Sequence, residues 1–317
     1  MKKVCAILMA VCLLLAGLCP ALAEEKTYSI GICQLAPHPA LDAATKGFRD
    51  FLTEKLGDKV VFNEKNAAGE AATCMQIMNT FVADNVDLIM ANATGALQAA
   101  QSATGDIPIL GTAVTDYGVA LDLTCVDGKT GTNISGTSDL APLDQQAAML
   151  NELFPDAKNV GLLYCSAEPN SKYQATTVKG YLEDLGYTCK EYTFADSNDI
   201  ASVVNNAIAT SDALYIPTDN TAASNTTIIQ NICHPAKVPV IAGEEGICSG
   251  CGVATLSIDY YDIGYKAGEM GAEILMDGKD VKEMPIEFAP AVTKKYNKAN
   301  CEALGITVPD DYVVIEE

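Results

Sequence analysis

Few residues in this chain have strong chemistry. Histidine occurs only at His38 and His234, arginine only at Arg49, and 41 acidic residues face 20 basic ones. No GxSxG, HExxH or Walker-type loop is present, so catalysis is not expected. A carboxylate pair such as Glu244 with Asp219 has the means for acid–base work, but nothing beside it adds support. What recurs is a set of short polar loops at 34–38, 92–95, 111–116, 137–139, 166–171, 218–221 and 243–246. They hold hydroxyls, amides, glycines and carboxylates, with His38 the single imidazole. Helix starts near Thr94, Ser171 and Thr221 can offer backbone N–H groups to an anion, while Asp116, Asp139, Asp219 and Glu245 can neutralise a cation. One small ligand carrying both charges on adjacent atoms is a free α-amino acid. Asn170 and Asn220 join the candidate set from the same loops. Each residue also has an ordinary reading: aspartates cap helices and turns, and His38, between two prolines, is as readily a turn element as a ligand contact. Tyr117, Tyr173 and Tyr260 could stack on an aromatic ligand or simply pack.

The elements behind these loops repeat. Residues 28–57, 60–69, 86–100 and 107–116 are matched in order by 159–186, 189–198, 211–224 and 238–246, with IPI (107–109) answered by VPV (238–240). Apolar runs such as Ala213 to Ile216 end abruptly in polar clusters, as buried parallel strands do at the edge where helices begin. Between them Leu41, Ala44, Phe48, Phe51, Leu52 and Leu56 recur at helical spacing, as do Val178, Tyr181, Leu182 and Leu185. Alternation of this kind predicts an α/β fold of two doubly wound parallel-sheet lobes joined by crossover segments. Lobe 1 is expected over 24–138 plus about 259–290, and lobe 2 over 139–258 plus about 291–317. If the strand-end edges face each other, the polar loops meet in one crevice.

The chain opens with two lysines, a short apolar run and Ala21-Leu22-Ala23, a secretory signal peptide expected to be cleaved after Ala23. Leu18 and Pro20 around Cys19 argue against a lipid anchor there, so a soluble exported protein, periplasmic or extracytoplasmic, is expected. A formal net charge of −21 repels nucleic acid and anionic lipid. The lone arginine disfavours phosphorylated ligands. Of the 12 cysteines, three belong to the leader. For the Cys248-Ser-Gly-Cys251 pair a structural disulfide is preferred over reduced thiols, with Cys233–Cys251 the expected bridge; the missing second CxxC argues against zinc. No metal or cofactor is implied, and a monomer is expected.

The segments HPALDAATKGF, IPILGTAVTD, GTSDL, PTDNT and AGEEG resemble the substrate-binding proteins of ABC importers, in the branch similar to tryptophan-binding, TrpX-like proteins. The resemblance spans nearly all of the chain after the leader. It implies a type I periplasmic-binding fold that closes on a small ligand, an aromatic amino acid favoured, and delivers it to a membrane permease. It further implies that Asp219 meets the ligand ammonium, that Asn170, Ser171 and Thr94 hold its carboxylate, and that Asp139 and Glu245 complete the cleft. On that reading Asp219→Ala should leave the fold intact. Tyr117 departs from the family, where proline is common. Another small polar solute, a nucleoside, sugar or peptide bound for transport or sensing, is the alternative ligand class.

Overall fold

A computed structural model describes residues 26–316; the expected leader lies outside them. The first sheet is built from β1 (Tyr28–Gln34), β2 (Val60–Asn66), β3 (Leu88–Asn92), β4 (Ile109–Val114) and β5 (Ile134–Ser138), in the order β2-β1-β3-β4-β5 with every pair parallel. The second uses β6 (Asn159–Cys165), β7 (Thr188–Phe194), β8 (Ala213–Ile216), β9 (Val240–Ala242) and β10 (Ala254–Ser257), in the order β7-β6-β8-β9-β10. The repeat in the sequence is thus a repeat in topology. The tail serves both sheets: β11 (Glu287–Phe288) adds to β5, whereas β12 (Thr293–Tyr296) pairs antiparallel with β10 and carries β13 (Val313–Val314).

Helices cover both faces of each sheet. On the first these are α1 (Pro39–Leu56), α2 (Ala71–Ala83), α3 (Thr94–Ala103) and the short α4 (Tyr117–Leu121). On the second they are α5 (Leu143–Leu153), α6 (Pro169–Asp184), α7 (Ile200–Ile208), α8 (Asn220–Ala223), α9 (Thr226–Ala236) and α10 (Glu245–Cys251). All six apolar residues expected to face inward from α1 are buried. Then α11 (Tyr260–Asp277) returns to lie against α1, so closely that a Cβ at Gly47 would stand 2.2 Å from the Tyr261 carbonyl oxygen and one at Gly264 2.0 Å from that of Ala44. Larger residues there would push the helices apart and open the core around Phe48.

Helix α6 departs from its expected stripe. Val178 and Leu182 are buried, but Tyr181 and Leu185 are exposed, and the inward face continues through Ala175 into Gln174, Ser171 and Asn170. The N-terminal half of this helix faces polar surroundings rather than apolar core, so its periodicity cannot be carried by apolar residues alone.

Candidate functional site

In each sheet the strand order reverses beside the first strand, between β1 and β3 and between β6 and β8. Helices leave in opposite directions at such a point and open a crevice at the strand ends. The two crevices oppose each other. Residues 35–37, 68–71, Gly95 and Gln98 of one lobe and 165, 167–170, 195–197, 220, 221, 224 and 225 of the other line a shared cleft of about 510 Å³. His38, the N-cap of α1, is buried and its Nε2 lies 3.2 Å from Asn220 Oδ1 of the opposite lobe; its Nδ1 has no partner. Burial pushes its imidazole below the usual range.

On the second lobe, Glu168 and Asp219 order the wall. Glu168 Oε2 accepts from Asn220 N (2.9 Å) and Nδ2 (2.7 Å), and Oε1 from Thr221 N and Oγ1 (2.8 Å each). Asp219 caps α8: Oδ1 accepts from Ala222 N and Oδ2 from Cys165 N, both at 2.7 Å. Burial, with Glu168 close by, pushes the Asp219 carboxyl up to about 8. Asn170 Nδ2 donates to Thr218 O (3.0 Å) and Ser171 Oγ to the same oxygen (3.3 Å), while Asn170 Oδ1 is buried without a donor. Asn170 was expected to donate to a ligand carboxylate. Its amide hydrogens are turned to the protein, so it presents an acceptor instead, an orientation that suits a cation.

A second acidic group lies deeper. Asp139, just after β5, accepts from Thr115 Oγ1 and Tyr260 Oη, each at 3.0 Å. Burial raises its carboxyl to about 6 against the pull of those two bonds. Gln174 ties this group to the other lobe, reaching both Thr115 Oγ1 and Thr218 O at 3.3 Å. Glu244 is buried and caps α10 through Gly246 N (2.6 Å) and Ile247 N (2.5 Å); burial pushes it up to about 7. Buried acids at such positions are costly unless something positive compensates. The ion pairs found among the described residues run instead between partly exposed side chains, as in Lys179–Glu191 and Lys294–Glu152.

Of the candidates, the fold brings His38, Asn170, Ser171, Asp219 and Asn220 together. Thr94 is buried at the first turn of α3 beside the cleft-lining Gly95. Asp116 is the N-cap of α4, accepting from Val119 N at 2.8 Å. Glu245 is not in the cleft: it pairs with Lys295 of β12 at 2.5 Å, and its neighbour Glu244 is the buried one. Helical geometry turns adjacent residues about 100° apart, and the sequence alone does not choose between two consecutive glutamates. Glu168, Gln174 and Thr115 escaped notice, although Glu168 stands one residue before Pro169, where the N-cap of a helix is expected. Tyr117 packs rather than stacks. Its hydroxyl donates to Thr137 O at 3.2 Å and would sit 2.5 Å from a Cβ at either Gly111 or Gly136.

The thiols also differ from expectation. All nine cysteines of the described residues are free, including Cys233 and Cys251, which adjoin in the lobe 2 core and pack there as small apolar side chains. The CxxC segment forms α10, whose free N–H groups at Gly246 and Ile247 are capped by the Glu244 side chain.

Two α/β lobes closing opposed switch-point crevices over buried polar groups define a periplasmic-type solute-binding protein. Residues 29–316 match the family of ABC transporter substrate binding proteins, to which this chain belongs. A relative named tyrosine-binding protein, from Clostridioides difficile (strain R20291), is 39% identical over 286 residues, 89% of this chain and 82% of its own. The ABC domain from Streptococcus pneumonia in complex with L-Trp is 32% identical, covers 92% of this chain and 100% of that one, and superposes with a TM-score of 0.87. A Clostridium difficile substrate-binding protein with adhesive properties, in its ligand-free, open structure, is 37% identical over 92% of this chain and 99% of that one, yet its TM-score is 0.70. The lobe arrangement here thus superposes better on the less identical, ligand-bound relative than on this open one. Sugar binders at 14% identity share the fold alone. Members of the family work outside the cytoplasm and carry a small-molecule ligand to an ABC permease. No helix among the described residues is long and apolar enough to cross a membrane.

Proposed function

We propose that this protein binds a free aromatic amino acid between its lobes, as a monomer without catalysis, and presents it to its permease. The observation that carries the reading is the set of carboxylates gathered where the lobes meet, with Asp139 and Asp219 buried and Glu168 half-buried beside them. An ammonium entering there supplies the missing positive charge and receives acceptors from Asp219 and the unpartnered Asn170 Oδ1. The first turns of α3 and α6, at Thr94 and Ser171, supply N–H groups for the ligand carboxylate. The preference for an aromatic side chain is drawn from the relatives named for tyrosine and crystallised with tryptophan.

The test is thermal denaturation of protein refolded to strip carried-over ligand, against single amino acids, sugars, nucleosides and short peptides. A ligand at about 100 times its Kd adds ~2.7 kcal/mol, a rise of roughly 5 °C. Tryptophan, tyrosine or phenylalanine should give the largest rise. A rise only with an uncharged sugar would reject the ammonium site.

A further inference from the structure

The cleft accounts for the buried carboxylates but not for two buried thiols in lobe 1. Helix α2 lies directly over β1, since a Cβ at Gly31 would stand 2.5 Å from the Phe81 ring. Cys33 is the next residue along that face of the strand, and Cys74 lies about two turns before Phe81 on the same face of the helix. The two thiols therefore face each other. Both are fully buried in one apolar cluster, and each is the other's hydrogen-bond partner, which raises the Cys33 thiol and lowers that of Cys74.

We infer that Cys33 and Cys74 are a disulfide-forming pair, closed outside the cytoplasm, that staples together two loops of the ligand cleft. Cys33 leads into residues 35–37, and Cys74 lies in the first turn of α2 just after residues 68–71; both segments line the cleft. They already touch through Gly69 N to Leu35 O (2.7 Å) and Ala67 N to Gln34 O (2.9 Å). A bridge behind that contact fixes the spacing of the two loops without adding anything to the cleft surface. The chemistry is thiol–disulfide exchange with a low-molecular-weight disulfide. The Cys74 thiolate attacks one sulfur of the oxidant and expels the first thiolate; Cys33 then attacks the mixed disulfide and expels the second. The protein loses two protons and two electrons, and the oxidant becomes two thiols. Extracytoplasmic residence, shared by the family, supplies the oxidising setting.

The chain from residue 24 onward is refolded in oxidised and reduced glutathione, and a native sample is exposed to the same mixture. Free thiols are blocked with iodoacetamide and the protein is digested with trypsin and a Glu/Asp-specific protease. The second protease is needed because no lysine or arginine lies between Lys65 and Lys129, leaving Cys74 and Cys125 on one tryptic peptide. The expected result is a Cys33–Cys74 crosslinked peptide that dithiothreitol abolishes. The oxidised form should melt at least about 5 °C higher, as expected for closing a loop of roughly 40 residues. C33A and C74A should each lose that redox response. Both thiols carrying the alkyl group after refolding and after native oxidation, or Cys33 joined to any other cysteine, would overturn the inference. So would an unchanged redox response in both variants.

Discussion

Replacing Asp219 by asparagine separates two roles that the residue plays at once. As a helix cap, Asp219 accepts two backbone N–H groups, from Cys165 and Ala222, at 2.7 Å each. Alanine would leave both donors buried and unpaired at about 1–3 kcal/mol each, so the expectation that Asp219→Ala leaves the fold intact does not survive the structure. Asparagine keeps the shape and one acceptor but turns its amide toward the other donor, losing one charge-assisted bond worth roughly 1.5–3 kcal/mol. Its melting temperature should fall by several degrees, and the variant should remain folded at 25 °C. For the ligand, loss of the counter-charge to a buried ammonium costs ~3–5 kcal/mol, a Kd about 100- to 5000-fold weaker. Urea denaturation measures the first quantity and isothermal titration with the best amino acid from the ligand screen the second. A folded Asp219→Asn protein whose Kd lies within tenfold of the parent would leave Asp219 as a cap only and refute its role at the ammonium.

Gly136 has φ +141 and no room for a Cβ, which would meet Gly111 O at 2.0 Å; Gly136→Ala should cost ~3 kcal/mol or more, visible as a fall of several degrees in melting temperature. Glu245→Gln breaks only a partly exposed pair with Lys295, so calorimetry should show less than about 1 kcal/mol lost and an unchanged Kd. The pH response should have opposite signs for stability and binding. Because burial raises the folded carboxyls of Asp219 (about 8) and Glu244 (about 7) above their unfolded values, the native state binds more protons, and ligand-free stability should rise as pH falls from about 9 to about 7.5, above the range where unfolded histidines charge. Ligand affinity should fall over the same interval, by up to about tenfold per pH unit for each proton released on binding, and a flat calorimetric profile would contradict this.

The fold was legible because periodicity and punctuation agree. Apolar runs closed by polar clusters give the strands, and the Leu41–Leu56 spacing gives α1 without error. The failures fall where residues serve the cleft. On α6 the inward face is Asn170, Ser171, Gln174 and Ala175 before it becomes apolar, so a search for apolar periodicity selected the exposed Tyr181 and Leu185. Asp219 was visible as a carboxylate after a strand, but that position does not distinguish a cap from a ligand group, and it fills the first role whatever it does in the second. Glu168 was passed over because its partners, Asn220 and Thr221, are far along the chain and meet it only through the β6–β8 neighbourhood.

The route of the tail has a consequence for biogenesis. Lobe 1 begins at residue 28, yet α11 and β11, which finish its core and its sheet, come after the whole of the second sheet's parallel strands, and β13 closes the other sheet near residue 314. The first half is not a finished folding unit until β11 has been made, nor the second until β13 has. In a family whose members act beyond the membrane, that order leaves both lobes incomplete until the tail is made.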